Sequence, residues 1–448
     1  MKTDQANSER PVTLSRVARL WSPLALSWLL MAIEQPLVAS AVARLPDETL
    51  QLAAFGGIAF PVALVVEGPI IMLLAASTTL CGRWRDYARL RGYVNLAGAA
   101  LTLLHAALAF TPLYENVVIR LLGASPEIAQ PGQLALQCLL PWTWAIAWRR
   151  FLQGLLIRAE QGSAVTAGTM VRLIADLLAL SLGWKLGLPG AALAGFILSS
   201  GVLAEAAYIS WRVRPVLADL RAAHEPDDSP PIALPAFLKF YLPLALTPLI
   251  TLFLQPIGSA AMNRMPNPVS SLAAWPAVHG LVFLTRSLGM AFNEVVVSLL
   301  GAPGSVAALA RFSRLLAIST MATLVLVAGT PLAEWYFRDL VGLDPWLTAI
   351  AISGVAASTL MPAHQALQSR YMGSLVRRRQ TRGITESVLL YLLLASLFLG
   401  IGIRLEIGPG LPVAITALVL AGFFQTVFLA RRAAPVLRAF EREESEQA

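Results

Sequence analysis

Long apolar runs alternate with short polar segments along the whole chain. The runs lie at roughly 21–44, 53–80, 93–114, 132–157, 164–184 and 189–211 in the first half, and at roughly 236–262, 270–300, 310–332, 346–372, 383–403 and 410–430 in the second. A helix needs about 20 residues to cross the ~30 Å hydrocarbon core of a bilayer. Because backbone polar groups in lipid must bond internally, these runs predict membrane-spanning helices.

The two halves of the chain are related in sequence. When residues 21–54 are placed against 241–274, at a constant offset of 220 without gaps, 13 of 34 positions are identical. Gln35-Pro36 then matches Gln255-Pro256. A later segment, 150–154, matches 370–373 with one gap. Each half holds an even number of spans, so the halves run in the same direction and should be related by an axis along the membrane normal.

These patterns predict an all-α membrane protein with twelve transmembrane helices in two parallel six-helix lobes. We expect an N-terminal lobe at 1–211, a polar, proline-rich linker at 212–235 and a C-terminal lobe at 236–448. A two-lobed parallel repeat is the architecture of alternating-access transporters, whose substrate site lies near mid-membrane between the repeats. The alternative is a duplicated bundle that acts as a scaffold or receptor. Ionisable residues inside the spans favour the transporter.

Composition and charge agree with this prediction. The chain is 57% hydrophobic and 13% charged, whereas a soluble domain is about 25% charged. The net charge of +8 comes from basic residues in short loops, so a nucleic-acid partner is not expected. With a cytoplasmic N-terminus, inside segments carry 24 Lys and Arg and outside segments carry 6. This asymmetry predicts that both termini are cytoplasmic, and we expect the protein in the plasma (inner) membrane.

No soluble-enzyme motif is present. The sequence lacks a phosphate-binding glycine loop, a metal-spaced His or Cys cluster and a nucleophile elbow. The two cysteines, Cys81 and Cys138, lie at the end of an apolar run and within one, which indicates neither a disulfide framework nor a metal cluster. We therefore expect a protein that is not an enzyme and has no cofactor and no metal site.

Charged residues inside the spans are the candidates for function. Each costs at least about 2.5–3.5 kcal/mol if it faces lipid at mid-depth, so each must face a cavity, pair or reach the interface. The basic set is Arg149, Arg150, Arg172 and Arg286, and the acidic set is Glu34, Glu67, Asp176, Glu294 and Glu205, which lies near a span end.

Two spacings place opposite charges on one helix face. Arg172 and Asp176 are four residues apart, and Arg286 and Glu294 are eight apart. Each pair has two interpretations: a structural ion pair, or a pair that opens so that the arginine can hold an anion.

Arg149 and Arg150 follow three tryptophans, at 142, 144 and 148. This pattern favours an interfacial position, with tryptophans at the headgroup level and arginines reaching the cytoplasm. Adjacent helical residues point about 100° apart, so at most one of the two should face a cavity. Arg150 is the better candidate because Arg370 repeats it in the second half.

Glu34 and Glu67 lie near the middle of the first two spans, with no basic residue three or four positions away. An unpaired carboxylate in a low-dielectric site favours its neutral form and can carry a proton. The two residues are therefore candidates for proton or cation coupling. A neutral hydrogen bond between helices is the alternative. In the second half, Leu254 matches Glu34.

The matching Gln-Pro pairs place a proline in the middle of corresponding spans. Proline removes a backbone donor and kinks the helix. Each pair is a candidate bending point, and Gln35 and Gln255 are candidate cavity ligands. A static kink, common in membrane helices, is the alternative.

Several segments resemble a known transporter superfamily. They are the end of the fourth span at 150–158, Glu34-Gln35, the segment 242–246 and the segment 275–279. The sequence resembles the multidrug/oligosaccharidyl-lipid/polysaccharide exporter superfamily, and within it the progressive ankylosis protein family. That resemblance implies export of a small polyanion such as a nucleotide triphosphate, pyrophosphate or citrate.

The sequence thus predicts an alternating-access exporter of a small organic or phosphate-bearing anion. The alternatives are a lipid-linked saccharide flippase and a cation-coupled multidrug exporter. The expected partners are the anionic substrate and membrane lipids, and the protein is expected to be monomeric. Candidate substrate-binding residues are Arg150, Arg172, Arg286, Gln35, Gln255, Asn263 and His279; candidate coupling residues are Glu34, Glu67, Asp176 and Glu294.

Overall fold

The computed structural model describes residues 11–223 and 230–447. This part of the chain is helical throughout and contains no strand, which confirms the predicted all-α class. Eleven of its helical segments are long and apolar enough to cross a membrane. The fourth predicted span, at 132–157, is not among these eleven.

The described residues of the first half form twelve α-helices. They are α1 (Leu14–Ala32), α2 (Glu34–Val42), α3 (Glu48–Ala54), α4 (Phe60–Glu67), α5 (Leu73–Leu80), α6 (Trp84–Phe110), α7 (Leu113–Glu115), α8 (Pro126–Cys138), α9 (Leu140–Arg158), α10 (Gly162–Lys185), α11 (Gly190–Arg212) and α12 (Arg214–Ala222). The fourth predicted span corresponds to α8 and α9, and α12 lies inside the predicted linker.

In the second half, the part of the chain that the structure describes forms nine α-helices. They are α13 (Leu234–Leu252), α14 (Leu254–Met262), α15 (Pro268–Leu299), α16 (Ser305–Gly329), α17 (Leu332–Glu334), α18 (Pro345–Ser358), α19 (Met361–Arg377), α20 (Arg382–Leu405) and α21 (Gly410–Gln447). Linker residues 224–229 lie outside the described residues.

Proline breaks the first span of each half at the same place. Helix α1 ends four residues before Pro36, and α13 ends four residues before Pro256. A proline has no N–H to bond the carbonyl four residues earlier, and its ring clashes with that carbonyl. The breaks at Ile33 and Phe253 are therefore 220 residues apart, as the sequence repeat predicts.

The repeat continues in the backbone beyond these breaks. Asp47 and Asn267 both adopt left-handed conformations, with φ of 57° and 52°, and Asp and Asn tolerate this region better than most residues. A π-helix at Phe55–Ala59 then follows α3, whereas α15 is continuous. A π-bulge inserts one residue into a helix, so from this point the offset becomes 219.

Close helix contacts verify the new offset. A Cβ added at Gly154 would lie 2.3 Å from the carbonyl oxygen of Leu74, and one at Gly373 would lie 3.2 Å from that of Asn293. Both the glycines and their partners are 219 residues apart. The offset returns to 220 at α11 and α21, which begin at Gly190 and Gly410.

The structure divides into two compact units. The central unit is Val38–Arg264, and the terminal unit is Met1–Leu37 together with Met265–Ala448. These bounds differ from the lobes predicted from the repeat, because most of the first span packs in the terminal unit and the seventh packs in the central unit. The division at 211 and 236 stays a prediction.

Matching side chains hold these two spans. In the terminal unit, Trp21 Nε1 donates to the carbonyl of Leu288 at 2.9 Å. In the central unit, the Tyr241 hydroxyl donates to the carbonyl of Pro69 at 2.6 Å. The two donors, Trp21 and Tyr241, occupy matching positions of the repeat, and so do the two acceptors, Leu288 and Pro69. The first and the seventh span are therefore anchored by the same kind of contact. The terminal unit also buries Phe292, one of its largest side chains, in its core.

Replacing Gly154 by alanine is expected to destabilise the central unit. The new Cβ would lie 1.9 Å from Ser77 Oγ and 2.3 Å from a backbone oxygen, and such overpacking costs about 1–3 kcal/mol. Gly92→Ala is the matched control, because nothing lies within 4 Å of a Cβ at that helical position. There, alanine should stabilise by about 0.5–1 kcal/mol. Thermal unfolding in detergent measures both, and a Gly154→Ala midpoint at or above the wild-type value would contradict the packing.

Candidate functional site: two buried polar clusters

The first polar cluster lies inside the central unit and is built around Glu205 on α11. Arg149 Nη1 on α9 donates to Glu205 Oε2 at 2.7 Å, and Gln153 Nε2 donates to Oε1 at 2.9 Å. Arg172 Nη1 on α10 lies 3.9 Å from Oε2. Glu205 is fully buried and Arg149 is only 6% exposed. Three helices thus converge on one carboxylate.

A glycine makes room for the cluster. A Cβ at Gly201 on α11 would lie 1.9 Å from Asp176 Oδ1 and 3.1 Å from Arg172 Cγ. Asp176 therefore packs directly against the backbone of α11. Only glycine permits this approach. The Asp176 carboxylate then interacts electrostatically with both Arg172 and Glu205.

Several buried atoms of this cluster lack hydrogen-bond partners within the described residues. They are both carboxylate oxygens of Asp176, Oε2 of Glu67, Nε of Arg149, Nε of Arg150 and Oε1 of Gln153. A buried polar atom without a partner costs about 1–3 kcal/mol. Together with Arg172 and Glu205, these residues form the central cluster, whose three arginines and three carboxylates balance in formal charge. Its unpaired carboxylate oxygens can accept a proton, and its unpaired arginine Nε–H groups can donate to water or a polar ligand.

The second polar cluster lies in the terminal unit around Arg286 on α15. Arg286 Nη2 donates to Gln365 Oε1 on α19 at 3.0 Å, and its buried Nε has no partner. The guanidinium makes no ion pair within the described part of the chain. Its charge acts on His279, His364 and Tyr391. We call these five residues the terminal cluster.

Aromatic rings line the same face of α15 as Arg286. Trp275, His279, Phe283 and Arg286 are spaced by four, four and three residues, which places them on one helical face. The His279 ring lies 5.2 Å from Trp275 and stacks on Phe283 at 5.9 Å with an interplanar angle of 10°. All four side chains are partly exposed. The face therefore combines flat rings with one guanidinium.

Solved structures share this arrangement of helices. A multidrug resistance transporter of the MATE family in an inward-facing conformation is 12% identical, with a TM-score of 0.72 over 93% of this chain and 99% of that one. The lipid II flippase MurJ is 17% identical, with a TM-score of 0.69 over 91% and 87%. A Pyrococcus furiosus transporter of the same superfamily, described as having a binding pocket of reversed polarity, is 13% identical, with a TM-score of 0.65 over 97% and 100%.

The chain has the fold of transporters of the multidrug/oligosaccharidyl-lipid/polysaccharide (MOP) exporter superfamily. Twelve helices in two lobes characterise that fold, so the predicted fold class is confirmed. The neighbours are transporters and a flippase rather than enzymes. No family model matches the chain, and no curated protein matches it as a relative. At these identities the similarity establishes the fold alone.

This transporter fold is known in two states. Solved neighbours include inward-facing and outward-facing conformations, the pair of states that alternating access requires. The two polar clusters of the present chain are therefore embedded in a scaffold that other proteins use for movement across a membrane.

The two clusters occupy matching positions of the repeat but differ in charge. At the offset of 219, Arg286 matches Glu67, which inverts the charge. The buried pair Arg149 and Glu205 matches Gln368 and Gln425, at offsets of 219 and 220. Gln368 Nε2 donates to Gln425 Oε1 at 3.3 Å. A neutral hydrogen bond thus replaces an ion pair.

The structure places the predicted arginines differently from the sequence analysis. Arg149, assigned to the interface, is buried and paired with Glu205. Arg150 is also partly buried, so both adjacent arginines reach the polar interior of the unit. In the structural register Ser369, not Arg370, matches Arg150, and Arg370 faces a pocket beside Glu441. The repeat argument for Arg150 was therefore wrong, although its burial keeps it a candidate.

The predicted partnership of Arg286 and Glu294 does not form. Glu294 is exposed, and Gln365 takes its place beside the arginine. Glu34 is 4% exposed, as expected for a buried carboxylate, but it is not without a partner. Its treatment as an isolated proton carrier is therefore weakened. Glu67 is 5% exposed and keeps an unpartnered oxygen.

The amide candidates are distributed between the two units. Asn263 Nδ2 donates to the carbonyl of Leu122 at 3.1 Å, which is a structural contact. Gln35 is partly buried in the terminal unit, and Gln255 is partly buried in the central unit. Gln255 also has an interaction partner. Binding roles for all three remain predictions.

Sequence reasoning missed the neutral members of both clusters. Gln153, Gln365, Tyr391 and His364 were not among the candidates, because polar side chains that carry no charge stand out less in an apolar run. Gln365 could have been identified from its position in the fourth span of the second half, five residues before the segment 370–373 that matches 150–154. The thiol of Cys81 is inert: burial raises its pKa to about 12.

Proposed function

We propose that this protein is an alternating-access transporter that exports a small organic or phosphate-bearing anion. The observation that carries the proposal is Arg286, a partly buried guanidinium with a neutral partner and no carboxylate within ion-pair distance in the described chain. A buried charge without a counter-ion is costly. An anionic substrate would supply the missing counter-charge when it binds.

The geometry of the terminal cluster supports oxyanion binding. Arg286 donates one Nη2 hydrogen to Gln365 Oε1, which orients the guanidinium plane. The Nε–H of Arg286 has no partner within the described residues. The free donors of a guanidinium can bind a carboxylate or phosphate in a bidentate manner. His279 and Tyr391, near the same guanidinium, offer further hydrogen-bonding groups.

The central cluster supports a coupling role. Asp176 and Glu67 are buried and keep unpartnered carboxylate oxygens, so protonation would remove a buried negative charge from each. Arg150 and Arg172 are the substrate candidates on this side, and their charges act on Glu67 and Asp176 respectively. A proton that binds here would release an arginine for the anion. Glu34 and Glu294 remain weaker coupling candidates.

The substrate class is nucleotide, pyrophosphate or citrate, as the resemblance to the progressive ankylosis family implies. The solved Pyrococcus furiosus transporter is described as having a binding pocket of reversed polarity, which shows that this fold can carry an altered charge. The 24 to 6 distribution of basic residues supports cytoplasmic termini, and we propose the plasma (inner) membrane as the location. It would act as a monomer.

A lipid-linked saccharide flippase is the second candidate. The fold similarity to the lipid II flippase MurJ favours it, and a lipid-linked diphosphate would need the same arginine contacts as a free anion. A multidrug exporter would instead use the carboxylates of the central cluster to hold a cation.

Uptake into proteoliposomes tests the proposal. Purified protein is reconstituted, and the entry of labelled ATP, pyrophosphate, citrate and a lipophilic cation is compared with that in protein-free vesicles. We expect protein-dependent uptake of at least one anion and none of the cation. Uptake of the cation alone would favour the multidrug function, and dithionite-sensitive flipping of a fluorescent polyprenyl diphosphate without anion uptake would favour the flippase.

A further inference from the structure

An apolar groove opens on the side of the central unit. Its volume is about 490 Å³. It lies between α4, α6, the π-helix Asn116–Leu121 and the seventh predicted span formed by α13 and α14. Its fifteen lining residues are all apolar, among them Val62, Leu104, Val117, Leu249 and Pro256.

The broken helix of the seventh span shapes the groove. Phe253 marks the break between α13 and α14, and Pro256 lies one turn later; both line the groove. At the other end of α13, Tyr241 and Phe237 hold the helix against Pro69 and Tyr93. The span is therefore fixed at one end and leaves a recess beyond the break.

Water is a poor occupant for this recess. A bound water needs two to four polar partners, and cavities lined only by aliphatic and aromatic groups stay dry or take apolar ligands. A recess of this size also exceeds the ~30 Å³ share of one water molecule many times over. Since the groove lies on a membrane-spanning unit, hydrocarbon is the occupant that its lining fits.

A cation stands at one end of the groove. Arg264 Nη1 donates to the carbonyls of Ala260 (2.6 Å) and Leu122 (3.0 Å), and Nη2 donates to that of Leu121 (2.8 Å). These three carbonyl-bearing residues line or border the groove. The guanidinium also lies 3.2 Å from a Cβ added at Gly123, whose φ of 73° requires glycine. The arginine is therefore fixed in place although it is exposed.

The fixed guanidinium keeps one edge free. The three carbonyls use both Nη1 hydrogens and one Nη2 hydrogen, so Nε–H and the second Nη2–H remain. Two guanidinium donors therefore have no protein partner in the described chain and are available to a phosphate group. An apolar recess that ends at such an edge has the chemistry of an anionic amphiphile.

We propose that this groove binds an anionic phospholipid, with one acyl chain in the recess and the headgroup phosphate on Arg264. Under the orientation predicted from the basic residues, Arg264 lies on the side away from the cytoplasm. The lipid would belong to the outer leaflet. It would hold the seventh span in the central unit. This site is separate from both polar clusters and does not depend on the transported substrate.

Native mass spectrometry of the full-length protein tests the site. The detergent-solubilised protein is titrated with phosphatidylglycerol and with phosphatidylcholine of identical chains. We expect one high-affinity phosphatidylglycerol, bound at least tenfold more tightly than phosphatidylcholine. Arg264→Gln should reduce this preference to less than threefold. Arg44→Gln is the matched control: Arg44 occupies the matching repeat position and donates to the Ser40 carbonyl at 2.8 Å, and neither residue lines the groove, so the preference should persist.

A second variant tests the site independently in case Arg264→Gln does not fold. Ala260→Phe fills the recess and keeps the arginine, and it should weaken binding of both lipids about tenfold. Leu393→Phe, at a residue 67% exposed in the terminal unit, should change neither. The proposal is overturned if Ala260→Phe leaves phosphatidylglycerol binding unchanged, or if folded Arg264→Gln keeps the tenfold preference.

Discussion

Replacement of Arg286 by alanine is expected to lower anion uptake at least a hundredfold while the protein stays folded. Arg286 is the only arginine of the terminal cluster, and Gln365 is its sole hydrogen-bond partner in the described chain. Hydrogen bonds to a charged group contribute about 1.5–3 kcal/mol each. Loss of a bidentate contact therefore exceeds the ~2.7 kcal/mol that corresponds to a hundredfold change. Initial rates of uptake into proteoliposomes, at equal amounts of reconstituted protein, measure the effect.

Two further variants sharpen this prediction. Arg286→Lys keeps the charge but not the planar fork, so it should retain part of the activity and raise the substrate concentration for half-maximal uptake. Arg338→Ala is the neutral control, because Arg338 is exposed and pairs only with the exposed Glu334. Wild-type uptake by Arg286→Ala would refute the assignment of this residue but leave the transporter proposal standing. Absence of uptake by the wild type would refute the transporter proposal itself.

Much of the fold follows from local sequence patterns. Apolar length predicts the spans, and the gapless match at 220 predicts which helices correspond. Proline chemistry even predicts the breaks, since both helices end four residues before a proline. The one-residue gap in the match of 150–154 with 370–373 indicates a change of register, but its location could not be predicted, because the π-helix at Phe55–Ala59 has no distinctive composition. One inserted residue is enough to exchange Arg370 for Ser369 as the match of Arg150.

Which spans belong to each compact unit could not be predicted from the sequence, for a different reason. Apolar periodicity shows that a helix has a buried face but not which neighbour covers it. The Trp21 and Tyr241 contacts decide that, and both are made to backbone carbonyls. Every helix carries backbone carbonyls, so the sequence does not show which of them accepts such a bond. The predicted lobes consequently describe the repeat, whereas the compact units describe the packing.

The sequence predicts which residues belong to the candidate site better than it predicts which partners they contact. The cost of charges in lipid correctly directs attention to Arg149, Arg172, Asp176 and Arg286. Spacing on one helix then suggests partners on that same helix, such as Glu294 for Arg286. The actual contacts cross between helices: Gln365 for Arg286, and Glu205 for Arg149. Contacts between helices depend on rotation and depth, which a single sequence does not encode.

The asymmetry between the clusters suggests a division of roles. Balanced charges in the central cluster can exchange partners when a proton binds, at little cost in net charge. The arginine of the terminal cluster has only a neutral hydrogen-bond partner in the described chain, so no such exchange is available to it. Coupling by the central cluster and substrate binding by the terminal cluster is the assignment that these charges favour.

Neutralising only one member of the Arg149–Glu205 pair is expected to cost far more stability than neutralising both. Glu205→Gln leaves a buried guanidinium without its carboxylate, and loss of one partner of a buried pair costs about 3–5 kcal/mol. The double variant Arg149→Gln, Glu205→Gln copies the Gln368–Gln425 hydrogen bond found at the matching positions. It should return to within about 1 kcal/mol of the wild type, because replacing a whole buried ion pair is often nearly neutral.

Thermal or denaturant unfolding in detergent gives the coupling free energy from the four proteins of the cycle. Because each single variant is expected to cost about 3–5 kcal/mol and the double variant at most about 1 kcal/mol, the coupling free energy should be at least about 5 kcal/mol. This exceeds the roughly 0.5–3 kcal/mol usual for contacting residues, because Arg149 and Glu205 are both buried. The same cycle on Arg338 and Glu334, which are 55% and 58% exposed, should give about 0–1 kcal/mol. Additive effects at Arg149 and Glu205 would mean that the pair does not hold the central cluster together. A rescued double variant that has also lost coupled transport would place the charge pair in the mechanism rather than in the fold.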